Sequence, residues 1–513
     1  MYHNLYIKIL NWLDGSLFFR GFVAMLNFIK NVCTGGFIAS IFIADNTQVD
    51  TMAKNSRFGR FAHMVLNGLP KPITLPGHFP QRLSGALRGS FFIGTLADNL
   101  AAPVPLGKKG ASWLYVLQWG IFIFPAAGVA AVIFATPFLP TMLLGAMLLP
   151  ILFVILFSRP FVINSLAVFL LGFIALSFIV AWFSFARGHS LQIVMLTSIF
   201  IMGAMAVVAV ATTQKAVDFM LLVFVASAGF TGIIGVYQFL FGDTGTLWID
   251  TELHAGLSNR IGSTFGNPNV FATYLLLLIP IAAAGVVYFK GWFLKFCALG
   301  ATFLLLGNLL LTYTRGAYLA LPLAIAVFIM LMEKRFIVLM IASLPVAFIA
   351  LPASVTSRLL SIVNLTDTST IFRMSIWQGS IRMIGDFWLA GVGQGLEAYH
   401  TVYPYYALAG AGTLHSHNLF LQILVEVGVP GFLLFVGILA CFFRAVSTLY
   451  RNTTQLRVKI MAAAMISAMV AFLIQSFFDY SFFNYSIVLT FYLYVGLGIA
   501  LARVYKEGAL QDA

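Results

Sequence analysis

The stretch from residue 191 to residue 211, LQIVMLTSIFIMGAMAVVAVA, contains no charged side chain and decides the fold class. A helix rises about 1.5 Å per residue, so about 20 apolar residues reach across the roughly 30 Å hydrocarbon core of a bilayer. The run therefore predicts a transmembrane helix. The rest of the chain has the same character, because 61% of its 513 residues are hydrophobic and only 9% are charged. A soluble domain has about 25% charged residues, so a soluble globular enzyme is excluded.

Apolar runs of this kind recur from Trp113 onward, separated by polar breaks that are mostly short. They predict an all-α polytopic membrane protein with about twelve transmembrane helices. The predicted spans are 113–135, 138–157, 161–184, 191–211, 217–241, 269–289, 296–313, 317–332, 336–352, 418–443, 460–478 and 487–505. Two connections are long: residues 242–268, and the 65-residue loop 353–417 before the tenth span.

Residues 1–112 form a different region, with 11 Lys and Arg against 4 acidic residues. No run there reaches the roughly 18 apolar residues that a span needs. The stretches 5–28 and 57–69 are typical of basic amphipathic helices, which lie on anionic lipid. A re-entrant hairpin near 18–44 is the alternative. The prediction is a basic cytoplasmic or interfacial region, whose role could be to bind lipid or an assembly factor.

Basic cytoplasmic loops explain the net charge of +13, so the charge does not require a nucleic-acid partner. With both termini in the cytoplasm and alternating spans, 23 of the 29 Lys and Arg residues fall on cytoplasmic segments, and 506–513 is a cytoplasmic tail. Both long loops then lie on the outer face. Six arginines face outward against this trend, and each needs a reason: Arg187, Arg260, Arg315, Arg358, Arg373 and Arg382.

Two of these outward arginines stand in motifs that suit an anion. Arg260-Ile-Gly-Ser-Thr-Phe-Gly-Asn-Pro-Asn269 opens the predicted sixth span, with Asn267-Pro268 typical of a capped helix start. A helix N-terminus attracts phosphate, and Arg260 adds a bidentate donor. The alternative is a capped helix with a surface arginine. Arg315 lies in a tight turn after Tyr313, where it either reaches lipid headgroups or faces an interior cavity.

A third polar motif closes the long outer loop. His417 is the best candidate general base of the outer half, since imidazole titrates near neutrality. Asn418 either caps the following helix or orients that ring. For His415 the alternative to substrate binding is loop packing. Glu426 stands inside an apolar span, which implies a partner or a polar cavity.

The polar residues do not predict a metal or another cofactor. Two histidines are too few for a metal site, the outer loops contain no Asp-x-Asp pair, and the three cysteines are scattered. The segment Gly391-Val-Gly-Gln-Gly395 has the wrong spacing for a dinucleotide-binding loop. We therefore expect metal-free chemistry.

The chain resembles the O-antigen ligase/O-antigen polymerase superfamily of bacterial envelope glycan transferases. Four blocks carry the resemblance: Arg260–Asn269 with Ala272 and Tyr274; Thr314-Arg315-Gly316-Ala317; Arg373 with Trp377, leading to Gly391-Val-Gly393; and His417-Asn418, nine residues, then Gly428-x-x-Gly431. They occur in order, and all face outward in an orientation that was derived independently. The resembling region is 113–505, and residues 1–112 depart from the family.

The resemblance implies a GT-C-like membrane glycosyltransferase that is inverting and metal-independent, in the bacterial cytoplasmic (inner) membrane. Its donor would be a glycan on undecaprenyl diphosphate, used at the extracytoplasmic face for cell-envelope polysaccharide biosynthesis. His417 would be the catalytic base, and Arg260 and Arg315 would bind the diphosphate. Arg373 would contact glycan or phosphate. The polar neighbours Asn269, His415 and Asn418 complete the predicted substrate-binding set.

The acceptor stays open at this point. A ligase transfers the finished glycan to a lipid, a polymerase joins lipid-linked repeats, and a protein O-oligosaccharyltransferase uses a protein acceptor. The His-Asn/Gly-x-x-Gly spacing favours a ligase-like protein. A secondary transporter or a flippase is a different class of function. A transporter predicts charges near the midplane and two similar halves, whereas the charges here gather at the outer edge.

Overall fold

The computed structural model describes residues 126–158, 165–242, 260–360, 368–408 and 412–511. The predictions for residues 1–112 lie outside these described residues, and so does most of the first predicted span. All regular secondary structure in the described ranges is helical.

The helices follow the chain in this order. The first nine are α1 Ala126–Ala135, α2 Thr141–Ser158, α3 Ser165–Trp182, α4 Arg187–Val210, α5 Gln214–Phe241, α6 Pro268–Tyr288, α7 Trp292–Leu311, α8 Arg315–Met332 and α9 Phe336–Ala350. The remaining six are α10 Ala353–Leu360, α11 Thr368–Phe387, α12 Leu396–Val402, α13 Leu419–Asn452, α14 Leu456–Phe478 and α15 Tyr485–Gln511. Short 3₁₀ helices are Ser263–Phe265, Tyr403–Tyr405 and Ser481–Phe483.

Nine helices of the described residues are long and apolar enough to cross a membrane: α3 to α8 and α13 to α15. The predicted polytopic α-helical membrane protein is therefore confirmed. Shorter apolar segments in α1, α2 and α9 lie at the other three predicted spans. The total of twelve spans and the GT-C-like arrangement stay predictions.

The centre of the bundle is formed by α6, α14 and α15. In their most apolar stretches, 78%, 72% and 83% of the residues are buried inside the protein, against 28% and 22% for α7 and α8. Helix α6 packs along α14, α4 packs along α15, and α8 packs against the other side of α14. A helix that is apolar on every side suits either the centre of a bundle or a lipid-facing position. The packing decides which, because α6, α14 and α15 are mostly buried and α7 and α8 are not.

The long predicted loop 353–417 contains three helices, α10 to α12. Helix α11 packs against the first half of α13. A small separate core joins this loop to the bundle, formed by Ile376, Met383, Val392, Ala398, Tyr399, Val402, Tyr403 and Val425. The loop is thus a folded layer at one end of the bundle.

Helix α13 is kinked at Gly428, which has φ 68°. Pro430 has no N–H, so the Glu426 carbonyl loses its helical partner. Two N–H groups of the loop replace the missing bonds: Val392 donates to Val425 O at 2.9 Å, and Gly393 donates to Glu426 O at 3.1 Å. The kink therefore joins α13 to the glycine-rich turn after α11.

The close approach at this kink requires glycine. A Cβ atom on Gly391, which has φ 67°, would lie 2.4 Å from Glu426 O, and one on Gly428 would lie 2.6 Å from Leu389 O. Glycine alone adopts such a backbone without strain. The Gly-x-x-Gly block and the Gly391-Val-Gly393 block are thus two halves of one contact.

Candidate active site

Arg260 lies just before α6 and is held by the turn between α7 and α8. Its Nε donates to Thr312 O at 2.9 Å, and its Nη2 donates to Asn269 Oδ1 at 3.0 Å. Thr314 also donates to Asn269 Oδ1, at 3.2 Å. These bonds place the guanidinium between the starts of α6 and α8.

The predicted helix start at Asn267-Pro268 is confirmed. Asn267 is the N-cap of α6, and its Oδ1 accepts from the N–H groups of Asn269 at 2.8 Å and Val270 at 3.3 Å. Pro268 occupies the first turn, where no N–H is needed. The positive end of the α6 dipole thus points to the space beside Arg260.

Four arginines line one cleft at this end of the bundle: Arg260, Arg315, Arg358 and Arg373. The cleft is partly open, and its empty volume of about 330 Å³ includes space that is continuous with the solvent. Its other lining residues are Asn269, Tyr313, Thr314, Gly316, Gln475, Phe478 and Asp479. We call this space the arginine cleft.

Electrostatics favour an anion in the arginine cleft. Burial, together with the neighbouring positive charges of Arg358 and Arg373, lowers the pKa of Arg260 to about 10. Arg260 still carries its charge at neutral pH, in a setting that disfavours it. A bound phosphate or diphosphate would offset both burial and repulsion.

His417 pairs with Asp479, the residue that follows α14. The distance from His417 Nδ1 to Asp479 Oδ1 is 3.3 Å. The imidazole is 27% exposed, whereas the carboxylate is 6% exposed. Burial acts to raise the pKa of Asp479, but the hydrogen bond and charge of His417 and the charge of Arg373 outweigh it and hold that pKa well below its usual range. The carboxylate therefore stays ionised and fixes one nitrogen of the ring.

The loop that carries His417 is fixed by three contacts. The His417 N–H donates to His415 Nδ1 at 3.2 Å, and the Ser416 N–H donates to Gln422 Oε1 at 2.8 Å. Asn418 is the N-cap of α13, where its Oδ1 accepts from two backbone N–H groups. This confirms the capping alternative for Asn418, and its binding of substrate stays a prediction.

His415 is packed behind the dyad of His417 and Asp479. Its ring stacks on Phe483, with centroids 5.3 Å apart and an angle of 12° between the planes. Burial, with the charges of His417 and Arg373, lowers its pKa to about 3, so the ring is neutral at physiological pH. These contacts support the loop-packing alternative for His415, while its predicted role in substrate binding stays a prediction.

Left-handed backbone marks the same region. Among the described residues, Ser263, Tyr313 and His417 are the non-glycine residues with positive φ, between 48° and 50°. Each stands shortly before a helix that starts at the site: α6, α8 and α13 respectively. Such conformations cost free energy and cluster at functional sites.

The structure brings four of the predicted site residues together but adds partners that the sequence analysis missed. Arg260, Arg315, Arg373 and Asn269 all line the arginine cleft, whereas Arg187 and Arg382, which were predicted on the same face, do not. Asp479 was not given a role, although an acidic residue directly after an apolar span is a signal. Arg358 and Gln475 were missed as well, since neither stands in a recognisable motif.

The intramembrane carboxylate Glu426 has partners, as its position predicted. Its Oε1 accepts from Gln422 Nε2 at 3.0 Å, from the Tyr480 hydroxyl at 3.3 Å and from the Gly395 N–H at 3.4 Å. It thus joins the middle of α13 to the residue after Asp479 and to the glycine-rich turn.

Comparison with known protein families gives one match. Residues 300–436 match a family described as O-Antigen ligase. The matched segment runs from α7 into α13 and includes Arg315, Arg373 and His417. This confirms the resemblance to the O-antigen ligase superfamily and supports a glycan-transfer role at a bacterial membrane. No curated protein matches the chain.

Proposed function

We propose that the chain is a membrane glycosyltransferase of the O-antigen ligase type. It transfers a glycan from undecaprenyl diphosphate to an acceptor hydroxyl at the outer face of the cytoplasmic membrane. One observation carries the proposal: four arginines and Asp479 line one cleft beside the starts of α6 and α8, and Asp479 pairs with His417 at 3.3 Å. This combination serves a reaction with an anionic leaving group and a proton to remove.

The arginine cleft is the proposed diphosphate site. Cleavage of the bond between sugar and diphosphate leaves negative charge on the departing oxygen. Arg260 and Arg315, with the N-terminal dipoles of α6 and α8, stabilise that charge. Arg358 and Arg373 approach from the folded outer loop, so the loop completes the site. Fixed arginines supply the positive charge, and metal independence stays a prediction.

His417 is the proposed general base. With Nδ1 held by Asp479, its Nε2 is the nitrogen that accepts the proton of the acceptor hydroxyl. The acceptor oxygen forms its bond to the anomeric carbon as the bond to the diphosphate oxygen breaks, and the electron pair leaves with the diphosphate. Attack opposite to the leaving group inverts the anomeric configuration. Asp479 stabilises the imidazolium that results, as the buried aspartate of a catalytic triad does.

The test is the glycan profile of a deletion strain, with surface and carrier-linked pools separated by size. Long chains left on the carrier mean a ligase, and single repeats alone mean a polymerase. An unchanged polysaccharide profile means a protein acceptor or a chain that is not a transferase. The strain also receives the His417→Ala variant and the matched control His400→Ala, which changes an exposed histidine of α12.

We expect His417→Ala to lose about 10²- to 10⁴-fold in transfer rate, the usual contribution of a general base. The His400→Ala control should restore the wild-type profile at equal expression. Full activity of His417→Ala would remove the histidine from the mechanism. It would also favour a flippase, which needs no base.

A further inference from the structure

Glu426 is a buried carboxylate that the proposed mechanism does not use. It stands in the first half of α13, just before the kink at Gly428, and it is 7% exposed. An ionisable group inside an apolar span is costly, and such groups mark functional sites. The donors to its Oε1 come from α13 itself, from the segment after α14 and from the glycine-rich turn. Glu426 therefore lies where three parts of the chain meet.

The first connection leads from Glu426 to the loop that carries His417. Gln422 Nε2 donates to Glu426 Oε1 at 3.0 Å, and Gln422 Oε1 accepts from the Ser416 N–H at 2.8 Å. The amide must turn its NH₂ group toward Glu426, since a carboxylate oxygen accepts, and this leaves the amide oxygen for Ser416. Gln422 is fully buried, so water does not replace either partner. Glu426 thus fixes the backbone directly before His417.

The second connection leads from Glu426 to the partner of His417. The Tyr480 hydroxyl donates to Glu426 Oε1 at 3.3 Å. Tyr480 directly follows Asp479 and is buried, and its N–H donates to Asp479 Oδ1 at 2.9 Å. The same Oδ1 atom lies 3.3 Å from His417 Nδ1. Glu426 thus holds the side chain of the residue whose backbone orients the aspartate.

The third connection joins Glu426 to the folded outer loop. The Gly395 N–H donates to Glu426 Oε1 at 3.4 Å, and the Gly393 N–H donates to the Glu426 carbonyl at 3.1 Å. These glycines have φ 102° and 113°, a backbone that only glycine adopts without strain. Both the side chain and the main chain of Glu426 are therefore bonded to the turn.

One acceptor that serves all three connections sets the relative position of the parts it joins. An aliphatic side chain in its place would leave the donors of Gln422 and Tyr480 without this partner, and both side chains could then turn toward other groups. The consequence would reach the dyad, because each side chain is bonded to the backbone beside one member of it. A misplacement of about 1 Å at a reacting centre can cost about 10²-fold in rate.

We propose that Glu426 is a positioning residue for the dyad of His417 and Asp479. It serves as a hydrogen-bond acceptor, through Gln422 for the loop of the histidine and through Tyr480 for the segment of the aspartate. It does not touch the reacting atoms and transfers no proton. The inference rests on the proposed function and deepens it, because it explains how two residues 62 positions apart keep one distance.

The test compares Glu426→Gln with Glu426→Leu in the full chain. Glutamine keeps the acceptor oxygen and removes the charge, whereas leucine removes the acceptor. The transfer rate is measured in the deletion strain as loss of carrier-linked glycan after induction, at equal expression. We expect Glu426→Leu to be about 10- to 100-fold slower than wild type. Glu426→Gln should stay within about threefold of wild type, since neutral acceptor bonds are only moderately weaker. The control Glu397→Leu removes an exposed glutamate and should not change the rate.

A second measurement separates positioning from a general loss of stability. Hydrogen-exchange mass spectrometry of the protein in lipid nanodiscs reports the N–H groups of Ser416 and Tyr480, which are bonded to Gln422 and Asp479. In Glu426→Leu both should exchange about 5- to 10-fold faster, the effect expected from losing one hydrogen bond. Exchange at the start of α6 and binding of undecaprenyl diphosphate should not change. Faster exchange throughout the protein would overturn the inference in favour of a structural role.

Two further variants cover a Glu426→Leu protein that fails to fold. Gln422→Met removes the first connection and should speed exchange at Ser416, while Tyr480→Phe removes the second and should speed exchange at its own N–H. Each should slow transfer. Wild-type transfer in Glu426→Leu or in both of these variants overturns the inference, and so does an equal loss in Glu426→Gln and Glu426→Leu. Loss of transfer in His417→Ala leaves the proposed function standing in each case. Full activity of His417→Ala instead contradicts the proposed function.

Discussion

The arginine cleft lies beside a second space between α3, α4, α13 and the start of α15, which we call the aromatic cavity, and the two are built in opposite ways. The cleft collects positive charge from loops and helix starts that lie far apart in the chain. The cavity is lined by aromatic rings with a carboxylate and an amide. The pair Asp479-Tyr480 contributes one residue to each. The arginine cleft thus suits an anion, whereas the aromatic cavity is mostly apolar.

The contrast separates a charged space from a mostly apolar one at the same end of the bundle. The four arginines repel one another, and the Asp479 carboxylate in the same lining offsets part of that repulsion. A bound anion would offset more of it. The aromatic cavity contains no arginine or lysine among its lining residues, so under the proposed function it does not compete for the diphosphate.

The largest effect that tests this division is expected for Arg260→Ala. Loss of the guanidinium should lower transfer by about 10²- to 10³-fold, as removal of one charge-stabilising donor does. Binding of undecaprenyl diphosphate should weaken as well. Arg187→Ala is the matched control, since Arg187 is an exposed outer arginine over Trp182 and outside the cleft. Equal loss in both variants would mean that surface charge alone matters.

A smaller effect is expected for Asp479→Asn, which keeps the shape of the residue at the junction. The rate should fall by about 10- to 100-fold, because the neutral amide no longer stabilises the protonated imidazole. For the same reason the acidic limb of the pH profile of kcat/KM should move to lower pH. The control variant Asp386→Asn removes an exposed carboxylate that accepts a hydrogen bond from the Tyr406 hydroxyl at 2.7 Å. It should leave the pH profile unchanged. If the acidic limb of the profile does not move in Asp479→Asn, then Asp479 has only a packing role.

The smallest effect concerns His415, whose ring packs against those of His417 and Phe483. Its pKa of about 3 in the folded protein lies below the ordinary value of 6.5. Below about pH 6.5 the unfolded chain takes up a proton that the folded chain does not, so stability falls as the pH falls. His415→Phe keeps the stacking and removes this proton uptake. The drop in Tm from pH 7.5 to pH 5 should therefore be about 1–3 °C smaller than in wild type.

The pH range of this last measurement excludes Asp479, whose low pKa makes it titrate only under stronger acid. His400→Phe changes an exposed histidine and should retain the wild-type slope. An identical slope in His415→Phe and wild type would show that His415 takes up a proton while folded.

Much of the fold could be predicted because span length is a local property. A run such as 191–211 needs only its own composition to predict a helix, and the structure has α4 there. The number of spans was harder to predict, since the apolar segments in α1, α2 and α9 are short. Which helices lie at the centre could not be predicted, because α6 and α7 are both apolar and differ only in what they pack against.

The candidate site also has features that the sequence predicts and features that it does not. The positive-inside rule predicted the orientation of the whole chain, and in that orientation Arg260, Arg315 and Arg373 share the outer face. The kink at Gly428 and the turn at Gly391 were visible as separate glycine blocks, but their contact was not. The burial of the Gln394 amide had no signal in the sequence, since its Nε2 donates to Ser177, more than 200 residues earlier in the chain.

The sequence by itself determined that this is a helical membrane protein with its polar motifs at helix ends. Those properties follow from the transfer of short segments between water and lipid, which depends on local composition. Only the tertiary structure decided that Asp479 pairs with His417, 62 residues away, and that Arg358 joins Arg260. Such pairings depend on which helix ends meet once α6 and α14 have packed together. No local pattern encodes that meeting, because it is the sum of many side-chain contacts along the whole bundle.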